Sequence, residues 1–232
     1  FTVWAINRSP SEAQSLLALP LLLIAPLFWL PRRAFFARRR SMRPGTMPLR
    51  PPTEAEIRVA RRSVGRACCL SSSVALTSYA MSASLASMPL PESPETRFGD
   101  LPPAYHDEYS YLFQAKTYLA GRLSFPGHET MPELFDQMHV VNVDGRFASR
   151  YFPGTGAWIA PFLAAGHPYR GHWLAGALAS FLIFWAGREL GGTGVGFLAG
   201  MLTALSPGMA LFSNLLLAHH PTIVGLALFV FA

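Results

Sequence analysis

Long apolar stretches alternate with short polar breaks over much of the chain. The apolar stretches cover residues 16–30, 67–90, 155–166, 173–187 and 194–206, and another begins at Leu215. A membrane-spanning helix needs about 20 apolar residues. These stretches lack the alternation of apolar and polar residues that a transmembrane β-barrel shows. We therefore expect helices, in which the backbone N–H and C=O groups are hydrogen-bonded within each segment. The pattern predicts an all-α integral membrane protein, a multi-pass helical bundle with about five membrane segments.

Residues 91–157 are more polar and follow two other periodicities. Apolar side chains between Tyr105 and Ala120 share one helical face, which predicts an amphipathic surface helix. Asp144-Gly145 lies between two β-prone runs, and this pair is a strong signal for a β-hairpin. We expect an outer loop that carries amphipathic surface helices and a small β-hairpin.

Composition and charge agree with a membrane protein and suggest an orientation. The chain is 51% hydrophobic and 14% charged, whereas soluble domains have about 25% charged residues. Residues 31–66 hold eleven arginines and two glutamates, whereas residues 91–150 hold nine acidic and five basic residues. Cytoplasmic loops are enriched in Lys and Arg, so the basic segment is expected inside and the acidic one outside. Nucleic-acid binding is one alternative for the arginines, and a basic interaction protein that uses residues 31–66 on anionic lipid is another.

These patterns divide the chain into five segments at the cell (inner) membrane. They are a first membrane segment (1–30), a basic cytoplasmic loop (31–66), a membrane helix (67–90), an extracytoplasmic catalytic loop (91–157) and further membrane helices (158–232). A cleaved signal peptide is the alternative for 67–90. The chain begins at Phe1 and stops within an apolar run, so we expect an N-terminal fragment of a larger protein.

A G-x-G-x-x-A match at Gly194 follows no predicted strand and does not indicate a nucleotide site. Gly192, Gly196 and Gly200 instead predict a helix face for close packing. Cys68 and Cys69 build no disulfide framework; acylation beside the membrane is the alternative to a packing role.

Asp107 and Glu108 are the candidate catalytic residues. Asp107 stands where a helix N-cap is expected, which is its alternative role. Glu108 shares the apolar stripe of its helix, and desolvation there would raise its pKa and suit proton transfer. Neighbouring side chains diverge by about 100° on a helix, so both reach one site only if it wraps around the helix start.

Five further residues are candidate substrate ligands. Arg150 is suited to a phosphate or lipid headgroup, with snorkelling to the interface as the alternative. Lys116, His139, His219 and Tyr111 complete the set. Asp107 and three histidines, His139, His219 and His220, would also suit a divalent metal, although no spacing requires one; no cofactor is certain.

Three segments together resemble a known family. They are HDEYSYLFQAKTYLAGRLSFP from His106, HVVNVDGRFASRYFPGTG from His139, and LLAHHP from Leu216. Over residues 100–225 the chain resembles bacterial multi-pass glycosyltransferases of the GT-C superfamily, in the branch of protein mannosyltransferases and the aminoarabinose transferase of lipid A. Phe152 stands where that family has the first proline of a Tyr-Pro-Pro-Gly turn.

The resemblance implies a glycosyltransferase that moves a sugar from a polyprenyl-phosphate donor to an acceptor on the outer face of the membrane. By it, Asp107 matches the acidic position assigned as general base or as the group that orients the acceptor, and Glu108 matches its neighbour. Expected partners are the donor, a glycan, lipid or protein acceptor, and membrane lipids, without nucleic acid. The alternative is a non-enzymatic membrane carrier or a glycan- or lipid-binding membrane protein.

Overall fold

The computed structural model describes residues 54–131, 133 and 138–231. Within them lie six α-helices, five short strands and a 3-10 helix, Phe98–Asp100. The helices are α1 (Glu54–Ala86), α2 (His106–Leu119), α3 (Pro153–Ala164), α4 (Arg170–Ala204), α5 (Pro207–Phe212) and α6 (His219–Phe231). The strands are β1 (Pro89–Leu90), β2 (Ser93–Arg97), β3 (Phe125–Pro126), β4 (Val140–Val143) and β5 (Arg146–Ser149).

Helices α1 and α4 form the most extensive contact among the described helices. Ala67 and Val74 of α1 are buried against Phe184 and Ala204 of α4. Small side chains on α1 allow this approach, and the bulky Phe184 fills the space between the helices. Helix α1 begins at Glu54, so the described part of the predicted basic loop 31–66 is helical rather than a loop.

Helix α4 reverses direction in its middle. Gly191 and Gly192 leave the helical conformation, and Gly192 has φ 85° and ψ −179°, a region open essentially to glycine alone. Gly196 and Gly200 of the second arm pack on Phe184 of the first. In a straight helix Phe184 and Gly200 would lie roughly 24 Å apart. The predicted glycine packing face is therefore confirmed at Gly196 and Gly200, whereas Gly192 makes the turn.

Helix α2 is held between α3 and a three-stranded sheet of order β3-β5-β4. Tyr111 and Ala115 of α2 are buried against Ile159 of α3. Strands β4 and β5 form the predicted hairpin, with Val143 opposite Arg146. Asp144 and Gly145 have φ of 52° and 68°, the left-handed conformations of a two-residue hairpin turn.

The predicted multi-pass membrane bundle is wrong for the part of the chain that the structure describes. There α4 is the one helix with the length and apolarity of a membrane span, and 39% of its most apolar stretch is buried inside the protein. Helices α2, α3 and α5 have 14, 12 and 6 residues, shorter than the roughly 20 that a span requires.

The individual membrane segments predicted from the sequence have different outcomes. The helix predicted over 67–90 exists as the larger part of α1, but α1 does not meet the criteria for a span. The further membrane helices predicted over 158–232 include α4 alone as a candidate span. The first membrane segment (1–30) and residues 31–53 of the basic segment lie outside the described residues.

Candidate functional site

The start of α2 places the carboxylate of Asp107 on the side that faces the β-hairpin. The N-cap of α2 is Tyr105 and the helix begins at His106, so Asp107 occupies the first turn and is not the cap. Nε2 of His139 donates to Oδ1 of Asp107 at 2.9 Å, and the hydroxyl of Tyr151 also donates to this carboxylate. The Asp107 side chain is 43% exposed, so two donors orient it while water and ligands still reach it.

His139 is held in place through its backbone. Its φ is 66°, a conformation that costs a non-glycine residue about 1 kcal/mol or more. Its carbonyl accepts hydrogen bonds from the hydroxyl of Ser110 at 2.7 Å and from the N–H of Arg150 at 3.1 Å. Ser110 also bonds Ser149 of β5 at 2.8 Å. These contacts fix the strained residue so that its ring meets Asp107.

Tyr151 is the aromatic centre of the site. Its ring stacks on Tyr111 at 4.6 Å and on His139 at 5.4 Å between centroids. Burial, followed by the hydrogen bond to Asp107, raises the pKa of Tyr151 to about 12. A phenol is protonated at neutral pH, and the raised pKa extends that state into the alkaline range, so Tyr151 acts as a hydrogen-bond donor to the carboxylate.

Gln114 connects this aromatic centre to α3. Its Nε2 donates to the carbonyl of Tyr151 at 2.9 Å, and its Oε1 accepts from the N–H of Gly156 at 3.0 Å. A Cβ at Gly156 would collide with the Gln114 side chain. Glycine at 156 thus lets α3 approach close enough for this bridge.

Arg150 and Phe152 flank Tyr151 and are both exposed. Phe152 is 92% exposed. The positive charge of Arg150 lies close enough to Tyr151 to act against the rise of its pKa. A cation and an exposed aromatic ring therefore flank Tyr151 in the sequence.

Glu108 points away from this site and is fully occupied. It is 1% exposed. Its Oε1 accepts from the N–H groups of Ala104 at 3.1 Å and Tyr105 at 3.4 Å, and its Oε2 accepts from the N–H of Leu216 at 2.8 Å. This geometry makes Glu108 a clamp between the start of α2 and the segment before α6, and it does not bring the two neighbouring carboxylates to one site.

Lys116 lies on the opposite side of α2 from Asp107 and lines a separate groove. The groove has a volume of about 820 Å³ and runs between α2, the α3–α4 turn and α5. Lys116 and Arg170 give it positive charge, Asp100 and Glu108 are its acidic residues, and Tyr169 and Trp173 line it with aromatic surface. Burial, followed by the charge of Glu108, raises the pKa of Tyr169 to about 12.

His219 is not brought to Asp107. Its ring packs on Phe212 at 4.7 Å, at the start of α6. Its neighbour His220 is buried and bonds Ser213 at 3.0 Å, while the buried His172 donates to the carbonyl of Leu217 at 2.7 Å. Among the described residues no three His, Cys, Asp or Glu side chains come together as metal ligands, so the divalent metal stays a prediction without a place in this structure.

Sequence reasoning named Asp107, His139 and Tyr111 separately and missed the residues that assemble them. Tyr151, Ser110 and Gln114 were not candidates. Asp107, Ser110 and Gln114 follow a spacing of i, i+3 and i+7, which puts polar groups on one side of a helix. That polar stripe, which borders the apolar face at Tyr111, is the signal that marks the side of α2 facing the hairpin.

No family model, curated protein or solved structure matches this chain.

Proposed function

We propose that this chain carries the acceptor-activating site of a glycosyltransferase of the GT-C type. The enzyme would move a sugar from a polyprenyl-phosphate donor to an acceptor at the outer face of the cell membrane. The observation that supports the proposal is the Asp107 carboxylate, which is oriented by His139 and Tyr151 and remains 43% exposed. A general base needs both a fixed orientation and access to its substrate.

In this reaction Asp107 accepts the proton of the acceptor hydroxyl or amine as that group attacks the anomeric carbon. The bond between the anomeric carbon and the donor phosphate breaks, and polyprenyl phosphate leaves with the bonding electrons. His139 and Tyr151 hold the carboxylate in position by donating to it. His139 is not the base, because its Nε2 donates to Asp107 and its Nδ1 is buried, with no hydrogen-bond partner among the described residues.

The flanking residues supply the remaining functions. The exposed guanidinium of Arg150 would bind the donor phosphate, because its fork of N–H groups matches phosphate oxygens. Charge that develops on the leaving phosphate is best met by a donor that is already in place. The exposed ring of Phe152 and the Tyr111–Tyr151 stack offer apolar faces to the sugar.

The deciding experiment compares Asp107→Asn with Asp100→Asn in the full-length protein. Asp107→Asn keeps the side-chain size but removes the base, so sugar transfer from a polyprenyl-phosphate donor should fall by about 10²–10⁴-fold. Asp100, which is exposed and lines the groove instead, is the control and should retain transfer. Circular dichroism checks that both variants fold. Undiminished transfer by Asp107→Asn would refute the proposal.

Arg150→Ala tests the second part of the mechanism. It should weaken donor binding at least tenfold, because a charge-assisted contact to phosphate is lost. Titration with the lipid-linked donor measures the effect, and an unchanged affinity would assign Arg150 to the interface alone.

The groove favours a second candidate function, a lipid-binding membrane protein without catalysis. Its aromatic lining and its positive rim at Lys116 and Arg170 suit an amphiphile with an anionic head. Lys116→Gln with Arg170→Gln distinguishes the two functions. If this double variant abolishes lipid binding while Asp107→Asn changes nothing, the carrier is favoured over the transferase.

A further inference from the structure

Four exposed arginines lie in the first turns of α1, at the end of the molecule far from Asp107. They are Arg58, Arg61, Arg62 and Arg66. On a helical wheel Arg62 and Arg66 lie on one stripe with Val59, Ser63 and Leu70, within about 100°. Arg61 points away from that stripe, and Arg58 lies at its margin, about 40° from Arg62. Only Arg62 and Arg66 line the cleft described below.

The stripe continues the face of α1 that packs on α4. Ala67 and Val74 of that face are buried against the arms of α4. Helix α4 ends its first arm at the Gly191–Gly192 reversal, so α1 extends past the tip of the hairpin. The stripe is left open beside Thr193, the first residue after the reversal.

This geometry produces a cleft of about 520 Å³. It is lined by Val59, Arg62, Ser63, Arg66, Leu70 and Thr193. Two guanidinium groups and two hydroxyl groups are the donors that phosphate esters require. No carboxylate lines the cleft, and within the described part of the chain neither Arg62 nor Arg66 forms an ion pair. Of the nearby charges on α4, Arg188 lies over Trp185 and 3.6 Å from Glu189.

Apolar surface adjoins these donors. Val59 in the cleft is 68% exposed, and Leu190 at the hairpin tip is 90% exposed. Val195 and Leu198 of the second arm are also exposed. An ionic head flanked by free aliphatic side chains matches an amphiphile, whereas nucleic acid would be met by charge and base-stacking aromatic groups.

We propose that the cleft between the start of α1 and the tip of the α4 hairpin binds the phosphate headgroup of an anionic phospholipid in a bilayer. Arg62 and Arg66 bind the phosphate oxygens, and the hydroxyl groups of Ser63 and Thr193 donate to them. Val59 and Leu190 contact the acyl region. The site is independent of the Asp107 chemistry proposed above.

The test measures co-sedimentation of the full chain with vesicles of phosphatidylcholine and with vesicles of phosphatidylcholine and phosphatidylglycerol in equal parts. The wild-type protein should prefer the anionic vesicles. Arg62→Gln with Arg66→Gln should reduce that preference by about tenfold or more, because each basic residue near an anionic surface contributes several-fold. These side chains are exposed, so the variant should fold, as circular dichroism checks.

Arg58→Gln with Arg61→Gln is the matched control, since it removes the same charge from the same helix outside the cleft. A clearly smaller effect of the control supports the cleft. Equal losses in the two double variants would overturn it in favour of a general charge effect.

Thr193→Val removes a hydroxyl without changing charge and should lower the preference two- to fivefold, as expected for one neutral hydrogen bond.

Two competitors identify the ligand. Inorganic phosphate that displaces the vesicles at millimolar concentration would assign the cleft to a free anion. Duplex DNA that binds more tightly than the vesicles, with the same dependence on Arg62 and Arg66, would assign it to nucleic acid. Either result overturns the lipid assignment.

Discussion

At the scale of single residues, Asp107 and Glu108 show how one helix start gives two adjacent carboxylates different surroundings. Asp107 is oriented by two side-chain donors and open to solvent, whereas Glu108 is enclosed by three backbone N–H groups. The difference follows from their angular separation on the helix, which turns one toward the hairpin and the other toward Leu216.

Glu108→Gln should destabilise the fold. The amide has a single acceptor oxygen, so its NH₂ group would face either the N–H of Leu216 or the N–H groups at residues 104 and 105. A buried donor left unsatisfied costs about 1–3 kcal/mol. Chemical denaturation measures this loss, and Glu129→Gln at an exposed position is the control. Equal stability of the two variants would show that Glu108 is not a clamp.

Tyr151 gives the fold an alkaline limit. Its pKa is raised from 10.0 to about 12, so between these pH values the folded chain holds a proton that the unfolded chain releases. The free energy of unfolding should therefore fall as the pH rises from about 10 to about 12. Tyr151→Phe should make this decline shallower, and Tyr169→Phe should do so as well, since its pKa is also raised to about 12.

Denaturation at several pH values, together with tyrosinate absorbance, checks this prediction. A wild-type protein in which every tyrosine has ionised by about pH 10 would contradict it.

Sequence reasoning could name Asp107 as a site residue but could not pair it with His139. Thirty-two positions separate them in the sequence. The pairing depends on the left-handed backbone of His139 and on the hydrogen bond that the Ser110 hydroxyl donates to the His139 carbonyl. The same limit affected Glu108. Its apolar stripe predicted a desolvated acid, but the N–H of Leu216, 108 residues away, has no signature in the local pattern.

At the scale of secondary-structure elements, the α4 hairpin depends on glycine for the approach of its arms. A Cβ at Gly196 would collide with the backbone oxygen of Phe184 and with Arg188. Backbone atoms cannot move aside as a flexible side chain would, so the arms must separate to admit even one methyl group.

Gly196→Ala should therefore destabilise the protein by about 1–3 kcal/mol. Gly194→Ala, two positions earlier in the same arm, meets no atom within 4 Å and should be neutral or stabilising by up to about 1 kcal/mol. Thermal unfolding of the pair measures the difference. A Gly196→Ala variant as stable as Gly194→Ala would mean that the arms are not in contact.

Elements with a strong local signal were predicted correctly. The helix expected from Tyr105 to Ala120 is α2, and Asp144-Gly145 makes the expected hairpin turn. The start of α1 was missed because arginines and flanking prolines were assigned to a loop. Arginine is a good helix former, and the last proline, Pro52, precedes the helix.

At the scale of the whole molecule, Asn214 connects three helices. Its Nδ2 donates to the carbonyls of Ser82 in α1 and Ala210 in α5, and its Oδ1 accepts from Nε1 of Trp173 in α4. Asn214 is 7% exposed, so water does not readily replace these bonds.

Asn214→Ala should lower the free energy of unfolding by about 2–4 kcal/mol, because it leaves several buried polar groups unpaired. Hydrogen exchange should rise at the end of α1 before it rises in the hairpin of β4 and β5. Ser206→Ala, whose side chain makes no capping bond at the start of α5, is the control. A uniform rise over both regions would indicate global destabilisation and not the loss of one junction.

For the residues that the structure describes, the apolar pattern also overestimated the number of membrane spans. Apolar composition predicts that a helix is buried, but it does not distinguish burial against other parts of the protein from burial in lipid. Ile159 and Phe184, which were counted toward membrane segments, are fully buried against other parts of the protein. A short apolar helix in a protein core and part of a membrane span have the same composition.

The reversal at Gly192 determines where the rest of the chain lies. Because α4 turns back on itself, Arg170 and Ala204 lie toward the same end of the molecule, although 34 residues separate them in sequence. If α4 ran straight, its ends would be roughly 50 Å apart, and the segment that follows it would leave with the helix. The N–H of Leu216 could then never meet Glu108. The reversal therefore decides at which end of the molecule α5 and α6 lie. The two arms of α4 return the chain toward α2, whereas a single straight helix would carry α5 and α6 to the opposite end.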